Sequence, residues 1–395
     1  MKTHWNNGMD YGFREIRAIM CMLGIWPLQQ NDLVCTFRWI LIFIVESFTV
    51  TSVLIDSFKN CGDINDNLEL FLIIEACFHA WLNVFLARLY KKKIATNVSS
   101  AIDDWSLSMK KQSYVVMLEH ARLGRIIILF QLMIGIICAF LYFPIAFIRS
   151  KQQVAIIGNK STTLWIFALP TSCLFKDISY SIYKAIFVMQ ILQGFIIYMS
   201  ECVGDSFFFA ITMHLCGQLE LLRVNFVEVG RKITGKIQYR NFLGQWIRRH
   251  YELIILARNI EDAFNLNLLI RLSIITVFIA ISGMRVIVSV KHQEYIDVMK
   301  SLLFIQYFII QSFLFTHTGD VLRNKSESIA SAIYDSTWHE FSSTTMKDLI
   351  LIMMRTNVPL QLSAGKFFYI TRSTTTDILK TALTYISFLQ ATMEK

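Results

Sequence analysis

The chain has 395 residues, of which 54% are hydrophobic and 17% are charged. Soluble domains usually carry about 45–50% apolar and about 25% charged residues, so this composition excludes an ordinary soluble domain and indicates a helical integral membrane protein. The formal net charge of +9 is spread over loops between apolar segments instead of one soluble patch, which argues against nucleic-acid binding.

Seven segments are long enough to cross a bilayer, whose hydrocarbon core takes about 20 residues of helix. No removable signal peptide is apparent before the first segment, so we expect that segment to act as the insertion signal and to remain in place. The predicted spans are 39–55, 70–89, 126–148, 182–215, 266–290, 298–315 and 373–393.

Loop charges predict the orientation of these spans. The loops after the second and fourth spans are rich in Lys and Arg, whereas the loop after the first span is mainly acidic. Because basic loops stay in the cytosol, we expect the N-terminus inside and the C-terminus outside. The basic loop after the third span disagrees, but the two richest loops outweigh it. Among the glycosylation sequons, Asn159 then lies outside, and Asn97 and Asn324 lie inside.

The fourth span continues as one helical pattern over 182–224, which is roughly 60 Å at 1.5 Å per residue. That length is about twice the hydrocarbon thickness, so this helix should project into the cytosol. The segments 230–261 and 326–341 predict further cytosolic helix. Together they predict a helical cytosolic domain without a sheet.

Catalytic and metal-binding motifs are missing from the sequence. It contains no P-loop, HExxH, GxSxG or GxGxxG pattern, so we expect neither an enzyme nor a bound cofactor or metal. The eight cysteines include no CxxC pair. Cys61 and Cys173 lie in predicted outer loops, where they either form a disulfide or remain two thiols.

Polar residues inside spans are costly in lipid, and they tend to be functional or paired. In the second span Glu75, His79 and Asn83 recur every four residues and therefore share one helix face. They form either a pocket rim or gating network, or a structural network between helices. Further charged residues inside spans invite similar pairings: Glu201, Asp205, Arg271 and Arg285.

The outer halves of spans two, three, four and six are rich in aromatic residues. Such residues, with a few polar groups, would line a pocket for a small apolar ligand, although ordinary lipid-facing surface has the same composition. The candidate pocket residues are Phe71, Phe78, Phe140, Tyr142, Phe143, Phe187, Gln190, Tyr198, Phe304 and Tyr307.

The C-terminal region contains two capping-box patterns. Thr345 and Asp348 are predicted to open an amphipathic helix that stops near Pro359, and Thr374 and Asp377 to open the last helix. This last helix is long enough to span the bilayer but is too polar for a single copy in lipid. Either several copies line a pore around an axis, or one copy lies buried in a monomeric bundle.

Motifs in the C-terminal third and a pattern in the fourth span resemble those of a known family. SESIASAIYDSTW at 326–338, AGKF at 364–367 and the Thr-rich run into ILK at 378–380 resemble insect odorant receptors, as do Asp205, His214 and Gln218. The resemblance extends over essentially the full length. The sequence departs from it at 382–386, where ALTYI keeps only the second Tyr of a typical Tyr-Ser-Tyr-Phe.

This resemblance implies a subunit of a ligand-gated, non-selective cation channel, assembled as a heterotetramer with the shared odorant co-receptor. It also implies that a small volatile ligand binds in the outer half of the bundle. The last helix would line the pore, with a gate at Phe388 and Thr392, and the protein would lie in the plasma membrane of olfactory sensory neuron dendrites. The implied pore residues are Thr384, Tyr385, Phe388 and Thr392.

The predicted fold is therefore an all-α membrane protein of four regions. Residues 1–38 form a cytosolic segment, 39–322 the first six spans, 323–371 a cytosolic anchor and 372–395 the pore helix. A gustatory-type channel and a seven-helix G-protein-coupled receptor are the alternatives. The gustatory pattern would place Gln390 one residue later, and the G-protein-coupled class predicts the opposite orientation and motifs absent here.

Overall fold

The computed structural model describes most of the chain, and our structural statements concern the residues that it describes. These are 7–29, 33–59, 67–107, 111–149, 153–157, 160–165, 167–169, 171, 174–175, 178–232, 236–336, 338 and 343–393. Cys61, Cys173 and Asn159 lie outside them. Phe140, Tyr142 and Phe143 lie in a described helix, but their side chains lie outside the described part.

Within these ranges the chain forms α-helices joined by short segments and two small β-hairpins. The helices are α1 (Asn7–Met22), α2 (Leu33–Lys59), α3 (Asn67–Leu89), α4 (Lys91–Leu107), α5 (Lys111–Arg149), α6 (Tyr180–Lys232), α7 (Lys236–Lys291), α8 (Tyr295–Tyr334), α9 (Ser343–Thr356) and α10 (Arg372–Met393). The strands are β1 (Gln153–Ile157), β2 (Lys160–Leu164), β3 (Ser363–Ala364) and β4 (Phe368–Tyr369).

Each predicted span lies within one helix, namely α2, α3, α5, α6, α7, α8 or α10. Among the described residues, the first six of these are long and apolar enough to cross a membrane. The long fourth-span helix is confirmed, since α6 runs for 53 residues. The segments 230–261 and 266–290, predicted separately, belong largely to the single helix α7.

The two hairpins add short strands that the sequence did not predict. Strands β1 and β2 pair antiparallel from Gln153 opposite Leu164 to Ile157 opposite Lys160. Strands β3 and β4 pair antiparallel within the predicted anchor, so the expectation of a domain without a sheet is wrong there. Strands of two residues carry too little periodicity to be recognised in a sequence.

The chain divides into two compact units. Unit 1 comprises Met1–Phe13, Lys92–Arg125 and Phe208–Lys395. Unit 2 comprises Arg14–Lys91 and Ile126–Phe207.

Unit 2 contains an aromatic contact between α2 and α3. The ring centroids of Phe43 on α2 and Trp81 on α3 lie 5.6 Å apart, and the Trp81 indole N–H donates to Ser47 Oγ over 3.0 Å. The indole N–H of Trp39 donates to the Val84 carbonyl over 3.4 Å. These bonds satisfy the polar edge of each indole, which is usual for Trp on partly buried surface.

Unit 1 is built around α7, α8 and α10, each of which packs against the other two. Its core includes aromatic contacts between α6, α7 and α8. The Phe209 and Phe315 ring centroids lie 4.9 Å apart, and those of Phe208 and Phe264 lie 5.3 Å apart. Aromatic pairs at such distances stabilise by about 0.5–1.5 kcal/mol beyond the burial of their area.

Candidate pore helix and ligand-binding residues

Helix α10 packs into unit 1 through one narrow face. Thr374, Ile378 and Ala382 are buried and recur every four residues, so they lie one above another. Near this face Ile386 approaches α7 closely, since a Cβ added at Gly283 would lie 2.4 Å from the Ile386 Cδ1 atom. The glycine therefore lets α7 and α10 approach.

Most of the remaining surface of α10 is exposed, and this exposed surface contains all four predicted pore residues. Thr384, Phe388 and Thr392 are spaced by four residues and share one exposed face. Tyr385 is 48% exposed and Phe388 is 64% exposed. The structure thus brings these residues together on one helix surface. The other exposed polar residues of the helix include Asp377, Lys380, Thr381 and Ser387.

The start of α10 is bonded to α8. Arg372 Nε lies 3.2 Å from Asp320 Oδ2, and Arg372 Nη2 lies 3.1 Å from His317 Nδ1. Thr375 and Thr316 join their hydroxyls over 2.6 Å. These contacts fix the first turn of the candidate pore helix.

The capping of α10 differs from the prediction. The helix begins at Arg372, and the Thr374 hydroxyl accepts a hydrogen bond from the Thr371 backbone N–H over 3.1 Å. This bond is the reach-back bond of a capping box whose N-cap is Thr371, so the predicted box at Thr374 and Asp377 is wrong. Helix α9 likewise begins at Ser343, before the predicted box at Thr345, and ends at Thr356, near the predicted stop.

We call residues 357–371, between α9 and α10, the connector. Its backbone is held by α7 and α8, because Leu360 N–H donates to Ser326 Oγ over 3.0 Å and Ser363 N–H donates to Glu261 Oε2 over 2.8 Å. The Ser363 hydroxyl donates to the other oxygen of the same carboxylate. The path from α9 to α10 is therefore fixed by specific hydrogen bonds.

Two glycines allow the connector to pack closely. Gly365 has φ +59°, a conformation that residues with a Cβ rarely adopt, and its N–H donates to the Asn265 carbonyl over 2.8 Å. On α8, a Cβ at Gly319 would lie 2.5 Å from the Ile370 carbonyl oxygen. The glycine therefore lets the connector reach α8.

A buried polar network joins α4, α6 and α7 in unit 1. His214 Nε2 lies 3.1 Å from Asp104 Oδ2, and Arg249 donates to the other Asp104 oxygen. Arg249 also donates to Gln218 Oε1 over 3.0 Å. The sequence motifs pointed to His214 and Gln218. They did not point to Asp104 or Arg249, because the only sign of these residues in the sequence is the charge that each carries within a helix.

Two of the candidate pocket residues, Phe187 and Gln190, contact the segment that precedes α6. The Gln190 Oε1 atom accepts from the Leu169 N–H over 3.1 Å, and Nε2 donates to Thr171 Oγ1 over 2.7 Å. Phe187 is buried in a cluster with Phe167 and Tyr183. In unit 2 the structure thus brings Phe187 and Gln190 together with the segment that precedes α6.

The other candidate pocket residues have diverse environments. In unit 2, Phe71 and Phe78 lie on exposed helix surface, and the Tyr198 hydroxyl donates to the Gln131 carbonyl. In unit 1, Phe304 is half-buried, and Tyr307 accepts a hydrogen bond from Gln311 over 3.1 Å.

The polar residues predicted to share a face of α3 do so, and they face α6. Asn83 Nδ2 donates to the Ser200 carbonyl over 3.4 Å and lies 3.5 Å from His79 Nδ1. His79 Nδ1 lies 3.9 Å from Glu201 Oε1. A Cβ at Gly204 would lie 2.5 Å from Asn83 Nδ2, so the glycine permits this close approach.

The fold and its spans define a multi-pass helical membrane protein. The family model described as 7tm Odorant receptor matches residues 63–383, and the chain belongs to this family.

Three Drosophila melanogaster proteins illustrate the similarity. Odorant receptor 13a is 26% identical over 216 residues, 49% of this chain and 51% of that protein. Odorant receptor 85b is 27% identical over 149 residues, 38% of this chain and 37% of that protein. Odorant receptor 47a is 33% identical over 94 residues, 22% of this chain and 24% of that protein. The chain thus spans about half the length, or less, of these curated relatives.

Solved structures share the fold over nearly the whole chain. The insect olfactory receptor OR5 from Machilis hrabei superposes with a TM-score of 0.79 at 11% identity, covering 96% of this chain and 99% of that one. The same receptor in complex with eugenol gives a TM-score of 0.73 at 13% identity, covering 97% and 100%. The fold is therefore that of an insect olfactory receptor.

Proposed function

We propose that this chain is an odorant receptor subunit of a ligand-gated, non-selective cation channel, with α10 lining the pore. The observation that carries the proposal is the surface of α10, which packs through a single face and leaves most of its polar residues, together with Tyr385 and Phe388, exposed. Exposed polar groups are costly in lipid, whereas several copies around an axis would hydrate them. Membership of the odorant receptor family supports the same function.

The proposed assembly is a heterotetramer with the odorant co-receptor. Residues 323–371 act as the cytosolic anchor and 372–395 as the pore segment, after a cytosolic segment at 1–38 and six spans within 39–322. An ion pair that joins this anchor to α6 supports the proposal. Lys325 lies 3.1 Å from Glu220.

The proposed ligand is a small volatile molecule held in the outer half of the helix bundle. Eugenol is bound by the structurally similar Machilis hrabei receptor, which supports an organic ligand of this kind. Among the candidate pocket residues, Phe187 supplies apolar surface, and Gln190 and Tyr198 supply polar groups that would orient a ligand. Gln190 already bonds the segment before α6, so ligand contact there would act on that segment.

The proposed orientation places the N-terminus in the cytosol and the protein in the plasma membrane of olfactory neuron dendrites. Asn97 supports it, because its side chain is buried, donates to the Leu256 carbonyl over 3.0 Å and accepts from Asn259 over 3.1 Å. In the folded protein the Asn97 side chain is therefore inaccessible to glycosylation, as expected of a cytosolic sequon. Asn159 is the site proposed to carry a glycan.

Gating follows if the ligand binds the open state more tightly than the closed state, since a ligand shifts an equilibrium only by its differential affinity. We place the gate at Phe388 and Thr392 on the exposed face of α10. The connector transmits movement of α7 and α8 to the first turn of α10. If Phe388→Ala and Thr392→Ala leave conduction and selectivity unchanged in the assembled channel, the gate lies elsewhere.

Patch-clamp recording tests the proposal. Cells expressing this chain with the odorant co-receptor are exposed to an odorant panel while G-protein signalling is blocked inside the pipette, and cells expressing either subunit alone serve as controls. We expect a rapid cation current in response to one or more odorants that persists under the block. A response that disappears under the block would indicate a G-protein-coupled receptor instead.

A further inference from the structure

Unit 2 contains a group of possible metal ligands contributed by two helices. Glu75 and His79 lie one turn apart on α3, and Glu201 lies on α6. One donor atom from each of these three residues lies within 4.8 Å of the other two. His79 is fully buried, while the Glu201 side chain keeps 17% of its surface exposed.

A fourth acidic residue, Glu46 on α2, lies close to this group. It is 1% exposed, and its carboxylate lies against the hydroxyl of Ser200, the neighbour of Glu201. Neither of these two groups completes a well-oriented hydrogen bond within the described residues.

Several carboxyl groups in an apolar interior are stable only if their negative charge is neutralised. Either bound protons or a bound cation can neutralise it. The imidazole of His79 beside Glu201 favours a cation, because a ring nitrogen with carboxylate oxygens is a ligand set that divalent transition metals accept.

We propose that Glu75, His79 and Glu201 bind a divalent transition-metal ion, for which Zn²⁺ is the best match. Zinc bonds to nitrogen and carboxylate oxygen are about 2.0–2.2 Å long. Binding would therefore draw the donor atoms together by about 1 Å, a distance within reach of side-chain rotation.

The helix geometry supports the site. A carboxylate and a histidine one turn apart on one helix, with a further ligand from a facing helix, is an arrangement used for metal binding in helix bundles. Gly204, one turn after Glu201, permits α3 and α6 to approach, and the exposed part of Glu201 provides a point of entry for an ion. Sequence motifs gave no metal site because the third ligand comes from another helix.

This inference does not rest on the proposed channel function, since metal binding is measured on the purified chain. The protein is treated with a chelator in detergent, the chelator is removed, and Zn²⁺ binding is followed by isothermal titration calorimetry and by thermal unfolding. We expect saturable binding of one ion per chain and a rise in Tm. Excess Mg²⁺ should not compete, because it prefers oxygen ligands in octahedral geometry.

The variants separate this site from adventitious surface binding. His79→Ala and Glu201→Gln should each weaken Zn²⁺ binding at least tenfold, whereas His292→Ala, which removes an exposed histidine between α7 and α8, should not change it. Glu201→Gln keeps the shape of the side chain and serves if His79→Ala fails to fold. Absent or non-saturable binding, or unchanged binding by Glu201→Gln, would overturn the proposal and leave a protonated hydrogen-bond cluster.

Discussion

The Glu261 carboxylate on α7 accepts hydrogen bonds from both the backbone N–H and the hydroxyl of Ser363, 102 positions later in the chain. Hydrogen bonds to an ionised acceptor are roughly twice as strong as those between neutral groups. This contact holds strand β3 of the connector, from which the chain reaches Arg372 and the first turn of α10. The position of the candidate pore helix therefore depends on a residue far from it in sequence.

Replacing Glu261 with Ala should destabilise the protein by about 2–3 kcal/mol, because it removes a charged acceptor and leaves the Ser363 N–H without its partner. Thermal unfolding of the purified protein in detergent measures the effect. Glu327→Ala is the matched control, since Glu327 forms a partly exposed ion pair with Arg323 on one helix, and its loss should lower the stability much less than Glu261→Ala does. Equal effects of the two variants would contradict the role assigned to Glu261.

Asp104→Asn should destabilise unit 1 by about 3 kcal/mol. The substitution removes the buried carboxylate that pairs with Arg249 and whose other oxygen lies 3.1 Å from His214 Nε2. Asp103→Asn alters the exposed neighbouring residue and should leave thermal stability within about 0.5 kcal/mol. Adding Arg249→Gln to Asp104→Asn should cost less than the sum of the two single changes, since residues in contact are not additive. Strict additivity would mean that the network is not energetically coupled.

Gly365→Ala should destabilise the connector by about 1–2 kcal/mol through the left-handed backbone conformation alone, with a further cost from Leu269, whose Cδ2 atom would lie 2.4 Å from the new Cβ. Gly244→Ala is the opposite case, because that glycine lies inside α7 with nothing within 4 Å of an added Cβ. It should stabilise the protein by up to about 1 kcal/mol. Chemical or thermal denaturation of the two variants side by side should give shifts of opposite sign.

The sequence allowed the helices to be predicted because apolar spans of about 20 residues are a strong signal. The full lengths of these helices were harder to predict, because their amphipathic parts beyond the membrane lack a long apolar run. In α7, no Pro or Gly separates the predicted segments 230–261 and 266–290, and the structure joins them. The two-residue strands β3 and β4 gave no usable pattern.

The exposed polar face of α10 was also predictable, because its composition is unsuited to lipid. The contacts that position this helix were not. Glu261 and Ser363 are 102 positions apart, and Asp104 and Arg249 are 145 positions apart, so no local pattern connects them. The four-residue spacing of Glu75, His79 and Asn83 predicted their shared face correctly, whereas the facing residues of α6 could be identified only once the helices were packed.

The central claim, that α10 lines the ion path, is tested most directly by cysteine accessibility in the channel assembled with the co-receptor. Thr384→Cys, Phe388→Cys and Thr392→Cys place thiols on the exposed face, and Ala382→Cys places one on the fully buried face. A charged, water-soluble thiol reagent applied during odorant stimulation should change the current of the first three variants, and should leave Ala382→Cys and the unsubstituted channel unaffected. Currents insensitive to the reagent at all three exposed positions, or an equal effect at Ala382→Cys, would contradict a pore lined by this helix.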